Sequence, residues 1–332
     1  MRVHRCLTAT AFLLLLAGCD GEPSGLEAGS TIEIAFEGLR ALDPATEGTY
    51  QAWLVGAGGE IHSLGRFTLP SSGRVELEAP VADASRVMVT LEAPGDTDNT
   101  PSEQVILAGR FDGGSASLTT LGVVTAGRPL NDAPGHHSLF TSSNNVKLGY
   151  PSFESSGLWM FSIDKTMNRH GTREVMMTPL RRPWLYEGWI VHGYGTENEI
   201  WISYGKFRPD NHQLLNSRDD TGSGPFSGDE DYRNGGIEDV PGEEWTVNPL
   251  GLPFPDELSL PLQLDSVDAS GNAVWTHVIT IEPAFNEDEP LRTEVPFLMQ
   301  PYRNPIGAGG PGVPREIIFQ DNMPTASLRI VG

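Results

Sequence analysis

Asp219, Asp220, Asp229, Glu230, Asp231, Glu238 and Asp239 are the residues of this 332-residue chain whose types and spacing come nearest to chemistry. Clustered carboxylates on turns that glycine permits are what a hard cation needs, so the chemistry would be Ca2+ binding. The spacing does not follow the twelve-residue EF-hand loop, and a solvated acidic loop uses the same composition. Between Arg208 and Asn248 there are ten carboxylates, six glycines and three arginines. Apart from Ca2+ no cofactor is expected.

Other combinations are weaker. Asp132, His136 and His137 offer metal-ligand atoms, but adjacent histidines in an extended segment point apart. The remaining histidines are scattered without metal spacing. Ser162-Ile163-Asp164-Lys165 matches a Ser-x-x-Lys motif whose mechanism needs both residues one turn apart on a helix. Its surroundings predict a strand, and neither Lys-Thr-Gly nor Ser-Asp-Asn follows. Nucleophile elbow, His-Glu-x-x-His, phosphate loop and dinucleotide fingerprint are all missing from the sequence. An enzyme is therefore not expected.

The elements that position these residues repeat. Tyr50-Gln51-Ala52-Trp53-Leu54-Val55 is followed by Gly65-Arg66-Phe67, and Tyr186-Glu187-Gly188-Trp189-Ile190-Val191 by Gly205-Lys206-Phe207. Each copy goes on to a β-branched run ending in an acid, Val87 to Glu92 and Val278 to Glu282, and then a loop with proline. The triplets Ala116-Ser117-Leu118 and Ala326-Ser327-Leu328 are read as the closing strands of the two copies. Runs this short, rich in Val, Ile, Thr and aromatics and bounded by Gly, Pro, Asp or Asn, predict strands. Ile32 to Phe36 alternates apolar and polar as a half-buried strand does. The expected fold is all-β, with two tandem immunoglobulin-like antiparallel sandwiches. Tyr50, Trp53 and Phe67 of one copy and Tyr186, Trp189 and Phe207 of the other are expected in the cores.

Met1 to Cys19 reads as a secretory signal, with Arg2 and Arg5 before the apolar run Leu7 to Leu16. That run is too short to span a bilayer. Leu16-Ala17-Gly18-Cys19 looks like a bacterial lipobox, which makes Cys19 the lipidated residue and the membrane a partner through that anchor. Asp20, next to it, favours retention at the inner membrane. Cys6 leaves with the signal, so no thiol remains for a disulfide. Loss of Arg2 and Arg5 leaves 20 basic residues against 44 acidic ones, a net charge of −24. Such a charge excludes nucleic acid as a partner, because phosphate binding needs a basic face.

The expected order along the chain is signal peptide 1–18, tether 19–30, first domain 31–123, linker 124–156 and second domain 157–332. The second domain carries the acidic insertion at about 208–248.

At Tyr50-x-x-Trp53-Leu54-Val55, Ser63-Leu64-Gly65-x-Phe67 and Val89-Thr90-Leu91-Glu92 the first domain resembles the extracytoplasmic C-terminal domain of RskA-type anti-sigma factors. Ala93 replaces the Pro of that family's Val-Thr-x-Glu-Pro segment, and Ile281-Glu282-Pro283 restores it in the second copy. The resemblance implies a sandwich fold and an outer, sensor-like role. The cytosolic sigma-binding domain and transmembrane helix of those proteins have no counterpart here, so anti-sigma activity is not carried over. The expected function is that of a cell-envelope lipoprotein, facing the extracytoplasmic side, acting as a non-catalytic binding or sensory module with another envelope protein as a candidate partner. A structural envelope lipoprotein without a small ligand is the alternative. A carbohydrate-active enzyme using scattered carboxylates stands third.

Overall fold

The computed structural model describes residues 25–131, 135–141, 155–160, 163–164, 169–170, 177–208, 241–248, 251, 253–284 and 296–331. Its strands are β1 (Thr31–Glu37), β2 (Thr49–Gly56), β3 (Ile61–Phe67), β4 (Arg74–Glu78), β5 (Ala84–Glu92), β6 (Val105–Asp112), β7 (Ser115–Thr119), β8 (His136–Leu139) and β9 (Gly157–Trp159). They continue as β10 (Ile163–Asp164), β11 (Arg169–His170), β12 (Leu185–His192), β13 (Ile200–Phe207), β14 (Gly242–Glu244), β15 (Trp275–Glu282), β16 (Met299–Pro305), β17 (Arg315–Glu316) and β18 (Thr325–Ile330). Among the described residues one short helix, Leu121–Val124, is the exception to an antiparallel all-β fold.

The repeat is a four-stranded unit. Both copies have the order β3-β2-β5-β6 or its counterpart β13-β12-β15-β16. Tyr50 pairs with Phe67 and Trp53 with Ser63, as Tyr186 pairs with Phe207 and Trp189 with Ser203. A bulge falls before each tryptophan, and Gly65 and Gly205 beside it adopt φ of +117° and +110°, a region glycine enters without penalty. The four residues added in the second copy lengthen the β12–β13 loop, where they cost little.

The bulge also shows how one packing problem is solved twice. Ala52 and Leu64 of the first copy become Gly188 and Tyr204 in the second, at the same register positions. A Cβ on Gly188 would overlap the buried Tyr204 ring. Gly188→Ala is therefore expected to destabilise by about 1–3 kcal/mol through overpacking. Adding Tyr204→Leu, which restores the pairing of the first copy, should recover part of that loss in thermal denaturation. Strictly additive costs in the double variant would contradict the steric account.

Beyond the shared unit the copies diverge. The first sheet runs β3-β2-β5-β6-β7-β18-β1-β4, eight strands in all. It folds on itself, since Phe36 of β1 stacks on Phe67 of β3 at 5.3 Å although those strands lie near opposite ends of the order. A single apolar core runs from this sheet into the second one and contains Tyr50, Phe67, Tyr186 and Phe207. Around it, Gln104 Nε2 donates to the Ala284 carbonyl, and Tyr302 Oη donates to the Leu130 carbonyl at 2.8 Å.

Two expectations about organisation change. Ala326-Ser327-Leu328 does not close the second copy. It lies in β18 and pairs directly with the triplet it resembles, Ala326 with Leu118, Ser327 with Ser117 and Leu328 with Ala116. Thr119 faces Thr325 across that ladder, so residues 120–324 stand where a β7–β18 hairpin turn would otherwise be. The similarity of the two triplets reflects adjacent strands of one sheet with the same inward and outward alternation, not equivalent strands of two domains.

The segment expected as a linker, 124–156, also contributes structure. It contains β8, the third strand of a sheet ordered β14-β9-β8-β17, with His137, Ser138 and Leu139 all fully buried. Four residues with two histidines lack the apolar signature of a strand, and their burial depends on partners far away in the chain. The acidic insertion likewise ends in the buried strand β14 and the buried Trp245.

Candidate functional site

The two motif blocks of the repeat build the same hydrogen-bond network twice. Trp53 Nε1 donates to Thr90 Oγ1 at 2.7 Å, and Trp189 Nε1 donates to Thr280 Oγ1 at 3.0 Å. Each threonine hydroxyl then donates to the acid two residues on, Glu92 or Glu282. The acids also accept from backbone amides, Ser102 at 3.3 Å and Phe297 at 2.9 Å. Burial pushes both carboxyl groups above the usual range, while the threonine bonds act the other way. The aromatic and acidic positions of the motif are thus joined in a structural clasp.

Trp53 and Trp189 are buried as expected, at 1 % and 2 % exposure, but not in the shared core. Tyr50, Ala52 and Leu54 of β2 point into that core; period-two alternation puts Trp53 on the opposite face. In the first copy that face is tied to the 93–104 loop: Arg66 donates to the carbonyls of Asp96 and Asp98, and Gln51 bonds Asn99 Oδ1 at 3.2 Å.

The second copy treats the same face differently. Trp189, Val191 and Val278 form a small apolar cluster apart from the core, with half-buried Tyr194 and Trp201 against it. Trp201 stands edge-on to both Trp189 and Tyr194, at 5.8 Å in each case. The Arg303 guanidinium lies 4.9 Å over the Tyr194 ring and donates to its hydroxyl at 2.7 Å. Its second nitrogen donates to Gln320 Oε1 at 3.1 Å. Tyr194 Oη donates to Gln300 Oε1 at 3.1 Å, and Trp201 Nε1 to Glu199 Oε1 at 3.0 Å. In the first copy Trp201 corresponds to Ile61 and Arg303 to Ala108. Motif reading missed these residues because no motif contains them. The signal lay in comparing the copies position by position once their register was known.

On the inner face of the same sheet, Tyr204 Oη is 2.8 Å from His277 Nε2, and His277 Nδ1 is 3.1 Å from His137 Nδ1. Both imidazoles are fully buried; burial holds His137 well below the usual histidine range and brings His277 to about 3. His277, read as one of the scattered histidines, and His137, read with Asp132 and His136 as a weak metal-ligand candidate, are thus brought together from distant parts of the chain. His136, the neighbour of His137, is half-buried and takes no part in this contact.

Among the described residues, no three or more His, Cys, Asp or Glu side chains are grouped to hold a metal ion. Asp219, Asp220, Asp229, Glu230, Asp231, Glu238 and Asp239 lie outside the described residues, as do Cys19, Asp132 and the ends of the Ser162 to Lys165 match. Ile163–Asp164, between those ends, form a short strand. No described helix is long and apolar enough to cross a membrane. No curated protein and no solved structure match the chain. Residues 28–105, which build β1 to β5 and reach the first residue of β6, match the family described as anti-sigma-K factor rskA, C-terminal.

Proposed function

We propose that the protein is a cell-envelope lipoprotein, held through Cys19, whose sheets serve outside the cytoplasm as a non-catalytic binding or sensory module. The family match over residues 28–105 is the observation that carries this reading. The lipobox-like Leu16 to Cys19 supports the anchor. The clasp network serves the scaffold, which leaves the outer face of β12, β13, β15 and β16 as the surface for recognition.

In a bacterial host the full-length chain should take up radiolabelled palmitate and sediment with membranes. Cys19→Ala should do neither. Palmitate incorporation that survives this substitution, or a wild-type chain that stays soluble and unlabelled, would overturn the anchor.

A further inference from the structure

We infer that the outer face of the second sheet binds a saccharide bearing carboxylate groups, with Trp201 as the stacking platform and Arg303 as the anion partner. The inference rests on the binding-module reading and names its ligand class.

Three observations support it. First, Trp201 and Tyr194 remain half-buried on a sheet face where the first copy has an aliphatic residue, and large half-exposed aromatic rings with a polar edge are suited to a partner that is apolar on one side and wet on the other. A pyranose ring is such a partner, with its axial C–H groups on one face and hydroxyls around its rim. Second, Glu199 and Gln300 bond the two rings and Gln320 bonds Arg303, planar groups that can exchange hydrogen bonds with hydroxyls. Few but well-placed polar groups beside an apolar surface are the usual composition of a small-molecule site.

Third, Arg303 supplies the charge. Among the described residues its guanidinium bonds only the neutral Tyr194 hydroxyl and Gln320 amide, in a chain whose acids outnumber its bases two to one. A half-buried guanidinium with fork geometry, bonded among the described residues to neutral groups, is complementary to a carboxylate brought by a ligand. Ala108 at the same register of the first copy offers no such group. The first sheet keeps the clasp and lacks the platform; the second has both.

The test is titration of the full-length protein with two probes, a hexameric oligogalacturonate and its methyl ester, followed by tryptophan fluorescence and calorimetry. The acidic probe is expected to bind with Kd on the order of 0.1–1 mM, and the ester about tenfold more weakly. Trp201→Ala and Arg303→Gln should each weaken the acidic probe by about tenfold or more, with Arg303→Gln abolishing the preference over the ester. Trp201→Tyr should restore much of the affinity, and Ile61→Ala on the first sheet should leave it unchanged. Absence of binding to the acidic probe, or binding indifferent to both Trp201→Ala and Arg303→Gln, would overturn the inference. The two readings fail separately. Failure of the acidic probe to bind a wild-type chain that still cross-links to a defined envelope partner would refute the saccharide while leaving a binding module in place.

Discussion

Ending the chain at Met323 is expected to unfold the first sheet, although the removed residues follow its other strands by some two hundred positions. β18 is the strand that joins two halves of that sheet. On one side it pairs with β1, from Ile32 with Ile330 to Glu37 with Thr325, and on the other with β7, from Thr325 with Thr119 to Arg329 with Ser115. Its removal leaves both neighbours with unpaired edges and separates the β1–β4 pair from β7. It also takes Leu328, 2 % exposed, and Ala326 out of the core. Truncating one buried leucine costs about 2–5 kcal/mol, against a total stability of about 5–15 kcal/mol for a typical domain. Loss of the whole strand exceeds that margin.

Circular dichroism melting should show a broad, non-cooperative transition for the shortened chain. A peptide of residues 324–331 supplied in trans should restore cooperativity by adding the missing strand. The complementary experiment joins residues 25–120 by a short glycine turn to residues 324–331. Because Thr119 faces Thr325, that junction is a hairpin, and the fused chain should fold alone. A chain ending at Met323 that melts cooperatively within a few degrees of the full-length protein would refute the bridging role of β18.

Acidification is the second large effect. His277, with a folded-state value near 3 against an ordinary 6.5, stays neutral inside the protein over a range where the unfolded chain takes up a proton. Above pH 6.5 neither state binds that proton and the stability is fully present. As the pH falls through 6.5 toward 3 the unfolded state is increasingly favoured. At pH 5 this costs about 2 kcal/mol relative to pH 8 for His277, and His137, shifted in the same direction, adds to it. The groups facing the pair reinforce the neutral form: Tyr204 Oη and the thioether of Met160 are uncharged, and His136 and Arg315 place positive or neutral groups next to His137.

Glu92 and Glu282 work in the opposite sense. Their raised values mean stability that is present at low pH and lost as pH rises through the folded-state value, so they offset part of the histidine effect. Urea denaturation of the wild type and of a His137→Phe/His277→Phe variant at pH 8, 6 and 5 separates the two contributions. The variant should lose most of the decline between pH 8 and 5. Parallel declines in both proteins would show that the pair is not its source.

Much of both copies could be read in the residues themselves. β-branched runs between turn residues, the Tyr-x-x-Trp and Gly-x-Phe spacing and the threonine-acid ending located β2, β3, β5, β12, β13 and β15, because residue types within a few positions set their strand preference. The tryptophans show where this reasoning stops. The repeat and the size of the side chains led to the expectation that Trp53 and Trp189 are buried, yet which face is the core depends on what covers each side, and that is set by loops and strands distant in sequence. The same limit hid β8, whose buried His137 meets His277 of β15, itself bonded to Tyr204 of β13.

What the amino-acid sequence determined by itself was the strand chemistry, the duplication and the family resemblance of its first part, since each follows from residue types within a few positions of one another. The tertiary structure alone decided that the second unit is inserted in a hairpin of the first, that β18 completes the first sheet, and that Trp201, Tyr194 and Arg303 share one face. Those outcomes depend on pairing between strands separated by many residues, where hydrogen bonding is indifferent to side-chain identity and the partner is selected by the packing of the whole core.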